Sequence, residues 1–289
     1  MNTVPSFQDP RGCLYLIATP IGNLEDMTLR AIQTLKDVDV IYAEDTRHSA
    51  PLCAHFEITA PLRSYHEHNE KERCEEAITH LREGKSLALI SDAGTPRISD
   101  PGHALVLAVT EAGYPVIPIP GASALLAALV AVPFQVTPFT FIGFLPAPKK
   151  ALEKTLEPYR HLNHTLIFYE APHRIHATLA ALYERLGDRK IVCARELTKR
   201  FETFYHGTLA DDFSTLPRKG EYVIIVEGTR TTALTGDAAL LENIERLLAL
   251  GEDPMSAIKM TAKAAGLKKG DVYTLYQNHL AISRSSDDE

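Results

Sequence analysis

The chain lacks most of what would place it outside a reducing compartment or inside a bilayer. It has only four cysteines, Cys13, Cys53, Cys74 and Cys193. They are widely spaced, form no CxxC pair and sit in apolar or helical patterns, which argues against a disulfide framework and for reduced thiols. No apolar run approaches the roughly 20 residues a membrane-crossing helix needs. The opening segment MNTVPSFQDPRG lacks the basic-then-apolar order of a secretion signal. A cytoplasmic location without membrane attachment is expected.

Positive charge is also in short supply. The formal net charge of -7 excludes a surface that acts as a general polycation, so contact with nucleic acid has to come from a local patch and DNA is not an expected partner. Equally missing are GxGxxG after the first apolar run, GxxxxGK[ST], HExxH and GxSxG, which removes weight from nicotinamide, P-loop, zinc-protease and serine-hydrolase chemistry. The cluster His66-Glu67-His68 does not put both imidazoles on one helical face. It reads as a solvated loop, and no metal is expected.

What is present is an apolar chain of useful length: 289 residues, 45% hydrophobic, enough for two compact units and too apolar for disorder. From Leu14 onward, short apolar runs alternate with stretches of helical period, the pattern of an α/β fold with a mainly parallel sheet. Strands are predicted at residues 14–18, 38–43, 61–65, 86–90 and 115–119, with helices at 28–36, 69–82 and 104–112. Around residues 133–150 the composition shifts to Pro, Phe and Gly, which places a domain boundary near Pro133. Further strands at 165–169, 190–198, 203–209 and 222–227 leave too little sequence between some of them for a helical crossover, so the second sheet should be mixed. After Gly228 a polar link, TRTTALTGD, leads to helices at 238–250, 254–265 and 271–280. The expected domains are 12–132, 133–230 and a helical appendage, 231–289. Between Ser256 and Leu280 four lysines, Lys259, Lys263, Lys268 and Lys269, stand against one acid, Asp271.

Three segments share one design, in which an apolar strand ends and Gly, Pro, Ser or Asp follows at once: residues 19–23, 91–96 and 120–123. Ligands of open α/β sheets bind beyond such strand ends, although each loop alone could be a plain turn. The string SDAGTPRISDPG, residues 91–102, carries more Gly, Pro and Asp than chain reversal needs. Residues 42–48, Tyr-Ala-Glu-Asp-Thr-Arg-His, end the second strand with groups suited to proton transfer or hydrogen bonding. Glu44, Asp45 and His48 are candidate bases by residue type, while Asp45 or Thr46 could equally cap a helix. In the second half Arg195 and Lys199 stand at a strand end, as a solvated edge or a substrate contact.

Taken in order, IATPIGNLEDMTLRAI, AEDTRHS, SDAGTPRISDPG, PIPGASA, FIGFLPA, LIFYEAPHR, ARELTKRFET and GEYVIIVEG resemble the tetrapyrrole methylase superfamily, in particular its ribosomal-RNA branch, over about residues 14–280. The resemblance implies two α/β domains with S-adenosylmethionine in the cleft between them, and a homodimer. It also implies a methyl acceptor that is the 2′-hydroxyl of a cytidine in the decoding region of small-subunit (16S) ribosomal RNA, free or in the assembled 30S subunit. By the same resemblance Pro20, Ile21, Gly22, Asp92, Ala93, Gly94, Thr95, Ser123, Ala124, Tyr169, Glu170 and Ala171 line the cofactor cleft. Glu44, Asp45, His48 and Lys199 are then the catalytic candidates. Arg47, Arg195, Lys268 and Lys269 are the candidates for contact with RNA, and Arg47 or Lys199 could hold phosphate or a developing alkoxide. Ring-methylating members carry a more glycine-rich first loop than TPIGNL. Two rival readings stay open here: methylation of a small tetrapyrrole-type ring, and a non-catalytic RNA-binding ribosome-assembly factor.

Overall fold

The computed structural model describes residues 12–229, 236–249 and 251–286. The opening segment and most of the polar link after Gly228 lie outside the described residues. The chain divides into two compact units, one ending at Gly228 and one starting at Thr229.

The first unit holds two five-stranded sheets. In the first, β1 (Leu14–Ile17), β2 (Val40–Ala43), β3 (Leu62–Ser64), β4 (Leu87–Ile90) and β5 (Val116–Ile119) run parallel in the order β3-β2-β4-β1-β5. Every residue of β2 and β4 is buried, which is why these strands read as unbroken apolar runs: helices cover both faces of a parallel sheet. One face packs on α1 (Leu29–Asp37) and α2 (Thr46–His55) through Ala31, Leu35 and Cys53. The other packs on α3 (Glu70–Arg82) and α4 (His103–Glu111) through Ala77, Leu81, Leu105 and Val109. The start of α1 follows from Thr28, whose hydroxyl accepts the Ala31 amide at 3.1 Å and so satisfies one of the donors a helix start leaves open.

The second sheet is mixed, as the spacing of its strands predicts. Its order is β6-β7-β10-β8-β9, from β6 (Phe139–Phe144), β7 (Thr165–Glu170), β8 (Lys190–Arg195), β9 (Thr203–Thr208) and β10 (Tyr222–Val226). Only β6 and β7 pair in parallel. One face is covered by α6 (Lys149–Leu156) and α7 (Ile175–Leu186). The opposite face receives α5 (Ala124–Leu129), which follows β5 of the first sheet but buries Leu125, Ala128 and Leu129 against Ile167, Ala194, Val223 and Ile225 of the second. At roughly 1.5–3 kcal/mol for each fully buried leucine side chain, this short helix contributes several kcal/mol to joining the two sheets.

Two sequence expectations change. The strand β6 was not foreseen, because a bulge between Phe141 and Gly143 breaks its alternation. The strand expected at 190–198 stops at Arg195, since Glu196 and Thr198 take φ of 53° and 65°, values a strand cannot contain.

The second unit consists, among the described residues, of α8 (Asp237–Ala249), α9 (Pro254–Ala265) and α10 (Lys269–Ser286), packed around Ile244, Leu247, Ala257, Ile258 and Val272. Asp253 caps α9 by accepting the Met255 and Ser256 amides, and Gly266 ends it in the left-handed conformation. No described helix is long and apolar enough to cross a membrane. No disulfide joins the four cysteines, three of which are buried.

Candidate active site

The strand order decides which loops meet. Because β4, β1 and β5 are neighbours, the three small-residue loops that follow them emerge side by side at the carboxyl edge of the sheet. They are then tied to one another. Thr19 and Gly94 exchange both backbone hydrogen bonds (2.9 and 3.0 Å), the Thr19 hydroxyl donates to the Ser91 carbonyl (3.1 Å), and the Thr95 hydroxyl donates to the Ala122 carbonyl (3.2 Å). Gly94 sits at φ 78°, and a Cβ on Gly121 would lie 2.9 Å from the Ala18 Cβ. Both positions demand glycine, one for conformation and one for space.

The second sheet presents the end of β7 to these loops. The Tyr169 hydroxyl accepts the Leu125 amide at 3.1 Å, one of the orphan donors at the start of α5. Its ring packs edge-on against Phe141 and Phe144, with centroids 4.9 and 5.7 Å apart. Burial pushes the Tyr169 phenol above its ordinary value. The fully buried Glu170 carboxylate accepts from the Ala171 amide (2.8 Å) and from the Thr178 hydroxyl, with the Arg174 guanidinium 3.7 Å away. The side chain of Glu170 therefore holds the 169–171 turn in place.

Between the two sets lies a cavity of about 390 Å³. Nine of the twelve residues expected to line the cofactor cleft surround it: Ile21, Ala93, Gly94, Thr95, Ser123, Ala124, Tyr169, Glu170 and Ala171. The other three, Pro20, Gly22 and Asp92, line a neighbouring depression of about 400 Å³ together with Arg47 and His48. Gly22 is pressed against the second sheet's loop, where an added Cβ would fall 2.4 Å from the Lys199 Cγ.

The expected catalytic residues divide by environment. Asp45 caps α2 by accepting the Arg47 amide (2.8 Å) and chelates the Arg47 guanidinium (2.7 Å). Those bonds hold its carboxyl down to about 2, which suits a permanent anion and not a proton acceptor. Glu44 is partly buried. Desolvation, the Asp92 carboxylate and other nearby acids raise it above the usual carboxylate range, against a backbone hydrogen bond that lowers it. Asp92 in turn accepts the Asp45 amide at 3.1 Å. His48 is exposed on α2. The Lys199 ammonium is shared between Glu196 (3.0 Å) and Glu221 (2.8 Å). Burial lowers the Lys199 pKa but these two partners outweigh it, so the net shift is upward. The Arg195 guanidinium donates to the Lys219 carbonyl at 2.8 Å, and the Arg47 side chain is 90% exposed. Lys268 and Lys269 are exposed at the start of α10, in the separate helical unit.

Sequence reasoning missed eight of the residues that line the main cavity, among them Ile98, Asp100, Phe144 and Leu197. Asp100 stands in the same string as Asp92, SDAGTPRISDPG, where residue type alone does not tell which acid faces the cavity. Burial, with the Glu44 and Asp92 carboxylates beside it, pushes Asp100 up to about 6, although the Ser91 hydroxyl pulls the other way. Phe144 was hidden with the unforeseen β6.

Residues 13–212 match the family model of tetrapyrrole (corrin/porphyrin) methylases. The chain is 45% identical to "Ribosomal RNA small subunit methyltransferase I" of Halalkalibacterium halodurans, over 96% of this chain and 99% of that protein. Its identity to the protein of that name from Bacillus subtilis is also 45%, over 92% and 94% respectively. Among solved structures it is similar to uroporphyrin-III C-methyltransferase from Thermus thermophilus complexed with S-adenyl homocysteine. The TM-score is 0.51 at 20% identity, over 74% of this chain and 96% of that one, a likeness of fold.

Proposed function

Because the chain belongs to the tetrapyrrole (corrin/porphyrin) methylase family, and within it to the group of the ribosomal RNA small subunit methyltransferases I, we propose that it methylates small-subunit ribosomal RNA with S-adenosylmethionine. The acceptor is the 2′-hydroxyl of a cytidine in the decoding region. The reading takes residues 12–132 and 133–230 as α/β domains flanking the cavity and 231–289 as an appendage. The protein then works as a cytoplasmic homodimer.

The observation that carries the proposal is the composition of the cavity. Its volume of about 390 Å³ falls in the usual range for small-molecule sites, roughly 300–1,000 Å³. Ala93, Gly94 and Ala124 present small residues beside it, Phe144 and Tyr169 give flat aromatic surface next to Leu197, and Glu221 supplies a carboxylate. No lysine or arginine stands among the described residues that line it. That set fits an adenosyl donor bearing a sulfonium and an ammonium, and would repel a phosphorylated nucleotide.

When bound, S-adenosylmethionine supplies an electrophilic methyl group on a cationic sulfur. The chain's part is to hold the acceptor oxygen in line at roughly 3–3.5 Å from that carbon, to keep water out, and to remove the hydroxyl proton. The tied loops give the first of these a rigid base. Ile21, Phe144, Tyr169 and Leu197 serve the second. Arg47, exposed beside the depression next to the cavity, and the lysines of the helical unit are suited to phosphates.

The test is transfer of radiolabelled methyl from S-adenosylmethionine to 30S particles, to free small-subunit RNA and to uroporphyrinogen, with the labelled nucleotide mapped. Label at a cytidine 2′-oxygen is the expected result. Label in the porphyrinogen alone would show a ring methylase, and no label in any acceptor would leave a binding factor.

A further inference from the structure

The main cavity shares part of its wall with a neighbouring depression. Ser99 and Asp100 line the cavity and also line this depression of about 550 Å³, which contains Glu44, His66, Glu67 and His103. Asp100 is thus the one carboxylate common to both spaces among the described residues. Its segment is anchored: an added Cβ on Gly102, at φ 128°, would lie 2.6 Å from the Leu89 Cδ2, and Arg97 turns the chain at φ 72°. No ion pair engages Asp100 among the described residues, whereas Asp45 is bound to Arg47 and Lys199 to two glutamates. Glu44 lines the outer depression and not the main cavity.

We propose that Asp100 is the catalytic base, accepting the proton of the acceptor hydroxyl at the junction of the donor cavity and the outer depression. This rests on the methyl-transfer reading above. The hydroxyl oxygen forms the new O–C bond as the S–C bond breaks. Its proton passes to the Asp100 carboxylate, and the sulfonium charge is discharged as a neutral thioether. The carboxyl then returns the proton to solvent by way of the outer depression.

The groups that face Asp100 tune it for this work. Glu44 beyond β2 and Asp92 beyond β4 oppose its ionisation, as does burial, and the Ser91 hydroxyl favours it; together they leave it near 6. Tyr169 from β7 shares its cavity, and His66, Glu67, Glu70 and His103 share the depression. A base poised near neutrality combines availability with proton affinity.

The experiment is single-turnover methylation of 30S particles and free RNA between pH 5 and 8.5 by wild-type protein and by Asp100→Asn and Asp100→Glu. Binding of S-adenosylhomocysteine is measured in parallel by calorimetry. The wild-type rate should climb with pH and level off above the Asp100 value of about 6. Asp100→Asn should lose about 10²-fold or more together with the ascending limb, yet bind S-adenosylhomocysteine within a few-fold of wild type. Asp100→Glu should restore part of the rate and a shifted limb. An Asp100→Asn protein with the wild-type rate and profile overturns the assignment, as does one whose donor affinity falls by the same factor as its rate. Wild-type protein that binds S-adenosylhomocysteine but labels no RNA overturns the underlying reading, and this assignment with it.

Discussion

Asp45 and Asp100 show how far one side chain type can be pulled in two directions. Asp45 is half-exposed, caps a helix and chelates a guanidinium, so it stays ionised at any ordinary pH. Asp100 is half-buried beside two other acids and is driven the opposite way. The native fold therefore favours the protonated form of Asp100. The stability this confers is complete below the unfolded value near 3.8 and is lost as pH rises through about 6. Asp100→Asn should remove that penalty. In thermal melts its advantage over wild type should be absent near pH 4, grow up to about pH 6 and stay level above. A gain on the order of 1–2 kcal/mol is expected after allowing for partial exposure, or a few degrees in a unit of this size. An advantage independent of pH would show that the carboxylate is not under strain.

At the scale of elements, the site depends on a six-residue helix that leaves one sheet and packs on the other. The hydrogen bond from the Leu125 amide to the Tyr169 hydroxyl joins α5 to β7 beside the cavity. Tyr169→Phe keeps the ring and its packing on Phe141 and Phe144 but leaves that amide without its acceptor. It should cost about 1 kcal/mol of stability and weaken S-adenosylhomocysteine binding several-fold, read by denaturant titration and calorimetry. Unchanged values in both would mean that water replaces the hydroxyl without loss. Two departures from the sequence pattern belong to the same scale. A bulge interrupts the alternation of β6, and β8 ends before the apolar pattern does because of the left-handed turns at Glu196 and Thr198.

For the whole molecule, electrostatics and substrate have to be reconciled. A chain of net charge -7 can hold RNA only through local basic groups, and Lys268 and Lys269 stand exposed at the head of α10. Replacing both by glutamate should weaken RNA binding and flatten its dependence on salt concentration. The expected loss is one to two contacts' worth of slope, about 0.7–0.9 per phosphate neutralised. Affinity for S-adenosylhomocysteine should not change. An unaltered salt slope would move the RNA contact away from these lysines.

The sequence alone determined the α/β class, the helical tail, the mixed character of the second sheet and the small-residue loops, because periodicity and the steric demands of tight turns are written residue by residue. The ordered motifs likewise indicated the family. Tertiary structure alone decided the partners of those loops. Strand order set β4, β1 and β5 side by side, and a helix crossed between sheets. Glu170 proved to be a buried brace, and Asp100 came to lie between two cavities with acids around it. Such facts arise from contacts between residues far apart in the chain, and no local pattern encodes the dielectric or the neighbours that one carboxylate will meet.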